Sequence, residues 1–180
     1  MATRKKKKGA TMPNAIKKFV HVVDKMNTFI GKVTMYMVFM MIAILLYEPI
    51  ARNIFGVSSI WAVEMAQFTM AAYYLVGGAY SMLLKGHVRM DLLYGRWSEK
   101  RKAQVDTFTG LFLIFYLVFL LVGAYSSFEY AIMYGQKNRS AWAPYMWPIK
   151  LIMGIGVVMM LLQAMATFFK DVAKWRGEKI

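Results

Sequence analysis

The chain has no cysteine. That absence removes thiol nucleophiles, disulfide exchange, iron–sulfur ligation and cysteine-type zinc sites. Histidine is nearly as scarce: only His21 and His87 occur, too far apart in sequence to argue for a metal site. No H-E-x-x-H pattern, Ser-His-Asp set or phosphate-binding glycine loop is present. Gly77-Gly78 and Gly154-x-Gly156 lie inside apolar runs, without the strand–turn–helix setting that a nucleotide loop needs. Acidic residues number nine against twenty-three Lys and Arg, and they form no carboxylate cluster. Proline is sparse too. Pro49, Pro144 and Pro148 fall at the ends of apolar runs, so the paired broken helices of many transporters have no sequence signature here. These absences point away from an enzyme and from a resident cofactor or metal.

Apolar residues are what the chain has in excess, at 59%. Soluble domains run nearer 45–50%. The charged residues, 18% of the chain, cluster between apolar runs. A membrane-crossing helix needs about 20 mostly apolar residues. Four such runs lie at about 33–51, 61–84, 106–128 and 145–169. Together they predict an all-α integral membrane domain of four transmembrane helices over 31–170, with no room for a separate soluble domain. Trp61, Trp97, Trp142, Trp147 and Trp175 fall near the predicted ends, where interfacial aromatics belong.

Residues 1–13 read as a disordered basic tail, with Arg4 and Lys5 to Lys8 in one run. Residues 14–30 read as an amphipathic helix. Ile16, Phe19, Val20, Val23, Met26 and Ile30 recur at spacings of three and four, with Lys17, Lys18, His21, Asp24 and Lys25 largely opposite. Such a helix can lie in the interface plane or lead into the first span. No small-residue cleavage site follows the first apolar run, so it reads as an uncleaved anchor. Residues 171–180 form a short tail.

Orientation follows from Lys and Arg. The segment through Lys32 holds nine, the connection 85–105 six and the C-terminal end from Lys170 onward four. The opposite side holds only Arg52, Lys137, Arg139 and Lys150. By the positive-inside rule both termini face the cytoplasm. The net charge of +14 is accordingly read as a topology signal and a contact to anionic lipids at the cytoplasmic face, not as a nucleic-acid site.

A few polar residues inside the runs invite a functional reading. Glu64 lies about one turn inside the second run, with Gln67, Ala71, Tyr74, Gly78 and Ser81 continuing on its side. This stripe suits helix packing, and an ion relay is the functional alternative. A relay needs ionisable groups through the membrane, yet Glu48, Glu64 and Glu129 all sit toward one side. Arg52 is a salt-bridge partner for either Glu48 or Glu64. Thr109, Tyr116, Gly123 and Ser127 line one side of the third run, and Gly156, Gln163 and Thr167 mark the fourth. Gln163 can hydrogen-bond another helix.

Three stretches carry a family resemblance. Gly86-His87-Val88-Arg89-Met90-Asp91-Leu92-Leu93-Tyr94, followed by Arg96, Lys100 to Lys102 and Asp106, resembles the cytoplasmic loop of the small (DctQ-like) membrane subunit of tripartite ATP-independent periplasmic (TRAP) transporters. Trp61 to Ala66 resembles that family's start of span two, though a second acidic residue and an Arg common there are absent, with Gln67 in the Arg's neighbourhood. Ser140 to Lys150, including Trp147, with Gln163 further on, resembles its approach to span four. The resemblance covers about residues 30–170. It implies a non-catalytic subunit in the bacterial inner membrane. It places the sodium and substrate sites on a large membrane subunit and has a periplasmic solute-binding protein deliver an organic acid. The small chain would then serve as scaffold, with Glu48, Arg52, Glu64, Gln67, Arg89, Asp91, Trp147, Lys150 and Gln163 as interface or structural residues. Arg89 and Asp91 either fix their loop or are solvated charge. The rival readings are an independent small oligomeric transporter or channel, and a membrane assembly factor.

Overall fold

The computed structural model describes residues 13–84 and 99–176. Four helices account for nearly all of them: α1 Asn14–Phe55, α2 Ala62–Leu83, α3 Glu99–Met133 and α4 Trp147–Arg176. They lie over the four apolar runs, and α1, α3 and α4 extend well beyond them. Those three are long and apolar enough to cross a membrane. α2 has 22 residues, about 33 Å of helix. That length also spans a bilayer core of about 30 Å. Its lower hydropathy comes from Glu64, Gln67, Thr69, its three tyrosines and its glycines.

α1 is a single helix of 42 residues, about 63 Å long. The backbone has no break between the amphipathic segment 14–30 and the apolar run after it. The amphipathic stripe is not left for an interface plane. Val20 and Val23 are buried against Ala166 of α4, with Ile16, Phe19, Leu162 and Phe169 around them. The rings of Phe19 and Phe169 meet edge to face at 6.3 Å. Apolar contact with α4 keeps the helix in register and draws the N-terminal segment along it. Pro49 sits inside α1, not at its end. The missing N–H leaves only the Leu45 carbonyl without its helical donor. The helix continues to Phe55 and stops at Gly56, whose left-handed backbone (φ 66°) lets its own N–H donate to the Arg52 carbonyl and the Val57 N–H donate to the Ala51 carbonyl.

α4 is the hub. It packs along α3 and α2, and it meets α1 near the ends that carry the chain termini. α2 lies between α1 and α4, and nearly all the packing of α3 is against α4. Small residues set the crossings. A Cβ on Gly156 would come within 2.8 Å of the Leu75 carbonyl oxygen, so α2 and α4 touch backbone to side-chain position there. Gly31 admits the ring of Tyr80 between α1 and α2. Ala72, Ala79, Ala164 and Ala166 are buried along the same seams. Close approach through small side chains gives van der Waals contact where lipid offers no hydrophobic drive for association. Away from this seam α1 and α4 diverge. They leave a cleft of about 670 Å³ over α2, lined by Met37, Met40, Met65, Thr69, Trp142 and Ile149 among others.

Candidate functional site

Polar side chains gather at two opposite ends of the layer. At the terminal end, Asn27 and Gln163 face each other across α1 and α4, 0% and 1% exposed. The Asn27 amide donates to Gln163 Oε1 at 2.6 Å. Gln163 Nε2 donates to Asp24 Oδ1 at 3.2 Å, and Lys170 Nζ donates to Asp24 Oδ2 at 2.6 Å. Helical spacing makes this ladder. Asp24 and Asn27 are three apart on α1, and Gln163 and Lys170 are two turns apart on α4. The ladder runs from a half-exposed ion pair to a buried amide pair. The buried rungs are neutral, so the charge stays at the wetter end, which avoids the cost of an uncompensated buried ion. Among the described residues, Asn27 Oδ1 has no hydrogen-bond partner. One turn or less beyond Lys170, Lys174 pairs with the buried Asp171 at 3.2 Å.

At the other end, the predicted acidic residues take separate partners. Arg52 lies 3.5 Å from Glu48, one helical turn back on α1, and is 66% exposed. Glu48 also accepts the Ser59 N–H at 3.2 Å, which holds the short turn between α1 and α2. The rings of Tyr47 and Trp61 stack across that turn at 5.4 Å. Glu64 does not reach Arg52. It is 7% exposed, and its carboxylate accepts the Asn138 side-chain amide at 3.5 Å. Asn138 belongs to a hairpin between α3 and α4, bridged at Lys137 and Tyr145, with main-chain bonds Asn138 to Pro144 and Met146 to Gln136, each 2.9 Å. Lys150 closes the base of this hairpin. Its ammonium donates to Gln136 Oε1 at 2.6 Å and to the Ser127 carbonyl at 3.1 Å. Trp147 opens α4 and is partly exposed.

The polar stripe predicted on α2 divides. Alternating steps of three and four residues drift around a helix of 3.6 residues per turn. Glu64 and Gly78 turn toward the packed side, with Gly78 against Met160, whereas Gln67 and Tyr74 face outward. On α3, Thr109 and Tyr116 are likewise exposed, and only Ser127, through its carbonyl, takes part in a contact to α4. Arg89 and Asp91 lie outside the described residues. Asp24, Asn27, Lys170, Gln136 and Asn138 were not anticipated as site residues. Asn27 continues the stripe Val20, Val23, Gly31, Thr34 of α1, which only the packing of α2 and α4 shows to be buried. Among the described residues no group of three metal-ligating side chains converges.

The arrangement is one of links between helices, at both ends of a helical layer whose outer faces are apolar. The family model for the DctQ component of tripartite ATP-independent periplasmic transporters matches residues 41–174. This chain belongs to the DctQ family. It is a multi-pass membrane component of a tripartite transporter. No curated protein matches it. The match begins inside α1, so Asp24 and Asn27 precede the family segment while Gln163 and Lys170 lie within it. The terminal-end ladder therefore fastens the preceding part of α1 to the DctQ core.

Proposed function

We propose that this chain is the small, non-catalytic subunit of a sodium-driven, binding-protein-dependent secondary transporter that imports organic acids, and that it acts as a scaffold for the large membrane subunit. In this reading four helices cross the bacterial inner membrane with both termini in the cytoplasm. The large subunit carries the sodium and substrate sites, a periplasmic solute-binding protein delivers substrate, and the basic termini contact anionic lipid. Glu48, Arg52, Glu64, Trp147, Lys150 and Gln163 hold the subunit's own shape, and Gln67, Arg89 and Asp91 serve its contacts.

The observation that carries this reading is the DctQ match over residues 41–174. Charges in the described residues sit toward the two helix ends: Asp24, Lys170, Asp171 and Lys174 at one, Glu48, Arg52, Glu64 and Lys150 at the other. Between Lys32 and Glu48 of α1, and between Lys150 and Lys170 of α4, there is no Asp, Glu, His, Lys or Arg. A carrier that moves an anionic substrate with sodium needs polar groups near the bilayer midplane. Such groups would have to come from a partner.

Reconstitution tests this directly. In liposomes under an inward sodium gradient, the chain alone should take up no labelled organic acid. Uptake should appear when the large subunit and the binding protein are supplied. Sodium-dependent uptake by the lone chain would replace this reading with that of an independent small transporter.

A further inference from the structure

α2 has two sides covered, by α1 and by α4, and a third facing the cleft. Its remaining side is open. Val63, Gln67, Met70 and Tyr74 recur there at helical spacing, and all four are exposed, Tyr74 at 63%. Gln67 makes no hydrogen bond among the described residues. It lies about 9 Å along the helix from Trp61, and Tyr74 lies about 10 Å deeper. A carboxamide carries two donors and an acceptor, and hydrocarbon satisfies none of them.

The other open faces make no such demand. The stretch of α3 from Gly110 to Tyr125 has only the phenols of Tyr116 and Tyr125 as polar side chains. The stretch of α1 from Val33 to Tyr47 has the phenols of Tyr36 and Tyr47 and Thr34, which is buried and bonded to its own helix at the Ile30 carbonyl. The stretch of α4 from Leu151 to Leu162 has no polar side chain. None of these stretches has an exposed carboxamide to match Gln67 of α2, and the amides of Asn27 and Gln163 are buried and paired.

We propose that the open stripe of α2 centred on Gln67 docks against a transmembrane helix of the large membrane subunit, with the Gln67 carboxamide hydrogen-bonded to a polar group on that helix. The inference rests on the reading of this chain as a transporter subunit. A protein helix fits where lipid does not, because it supplies both an apolar groove for Val63, Met70 and Tyr74 and a hydrogen-bonding group at the depth of Gln67.

The test uses the full complex co-expressed in membranes. A benzophenone amino acid is placed at Met70 on the stripe, and in a second variant at Phe115 on the exposed face of α3. Irradiation should join Met70, and not Phe115, to the large subunit. Gln67→Leu should lower recovery of the large subunit with the tagged chain by about threefold to tenfold, the range for one intramembrane hydrogen bond. The yield of the chain itself should stay constant, because Gln67 is exposed and makes no hydrogen bond among the described residues. An adduct from Phe115 alone, an adduct between two copies of this chain from Met70, or undiminished recovery with Gln67→Leu would each overturn the docking face. If the wild-type chain never recovers the large subunit, the transporter-subunit reading falls with it. Recovery with no Met70 adduct removes the docking face alone.

Discussion

Asn27 and Gln163 form a buried amide pair in which each depends on the other. Leaving one amide alone in an apolar seam costs about 1–3 kcal/mol, whereas replacing both by apolar groups of similar size is nearly neutral. Gln163→Leu should therefore lower the thermal stability of the detergent-solubilised chain, and adding Asn27→Leu should recover most of the loss. The same order of melting temperatures for the double variant and the single one, or a further drop in the double, would show that the pair is not coupled. Asp24 complicates the single variant, because it also loses the Gln163 Nε2 donor, but it keeps Lys170 at 2.6 Å. Gln163 was legible in the sequence, since it is the one amide in a long apolar run. Its partner was not, because Asn27 sits among lysines and histidine in a segment whose face could not be assigned before α4 was seen packed on it.

Two glycines on α4, two residues apart, separate packing from propensity. Gly156 lies against the Leu75 carbonyl, and backbone cannot move aside as a flexible side chain can. Gly154 has nothing within 4 Å of where a Cβ would stand. Gly156→Ala should push α2 from α4 and destabilise the chain by roughly 1–3 kcal/mol, the range for overpacking a close contact. Gly154→Ala should be neutral or stabilising by up to about 1 kcal/mol through helix propensity. Thermal unfolding monitored by circular dichroism checks both, and equal effects at the two positions would count against the crossing. Composition marks both glycines alike. Only the rotation of α4 relative to α2 distinguishes them, and that rotation is set by which faces of the neighbouring helices are small. The stripe on α2 makes the same point: Glu64 and Gln67 looked like one face, and the packing of α4 and the hairpin at Asn138 drew Glu64 inward while Gln67 stayed out.

Across the described residues, the start of α1 and the end of α4 share one end, and the two short connections, after Phe55 and after Met133, share the other. From the Lys and Arg excess, the positive-inside rule predicts a cytoplasmic terminal end. Single cysteines at Ser58 and Arg139 should react with a membrane-impermeant maleimide in intact cells. Single cysteines at His21 and Arg176 should react only after permeabilisation. The chain's lack of native cysteine makes each signal attributable to one position. Labelling of His21→Cys in sealed cells with Ser58→Cys silent would reverse the orientation. The layer itself is open, with apolar side chains facing outward on α1, α2 and α3. A chain with so much exposed apolar surface is suited to lie between lipid and a larger membrane partner.

The four helical runs, their apolar character, the charge asymmetry between the two ends and the family were all determined by the sequence alone. Each depends on composition along one dimension, where length and hydropathy are sufficient. The tertiary structure decided the partners: that Arg52 takes Glu48 and leaves Glu64 to Asn138, that Lys150 ties α3 to α4, and that residues 14–30 continue α1 onto α4. The reason is geometric. A helix turns 100° per residue, so which polar group faces a neighbour depends on the rotation and height of both helices, and no periodicity within one helix encodes those of another.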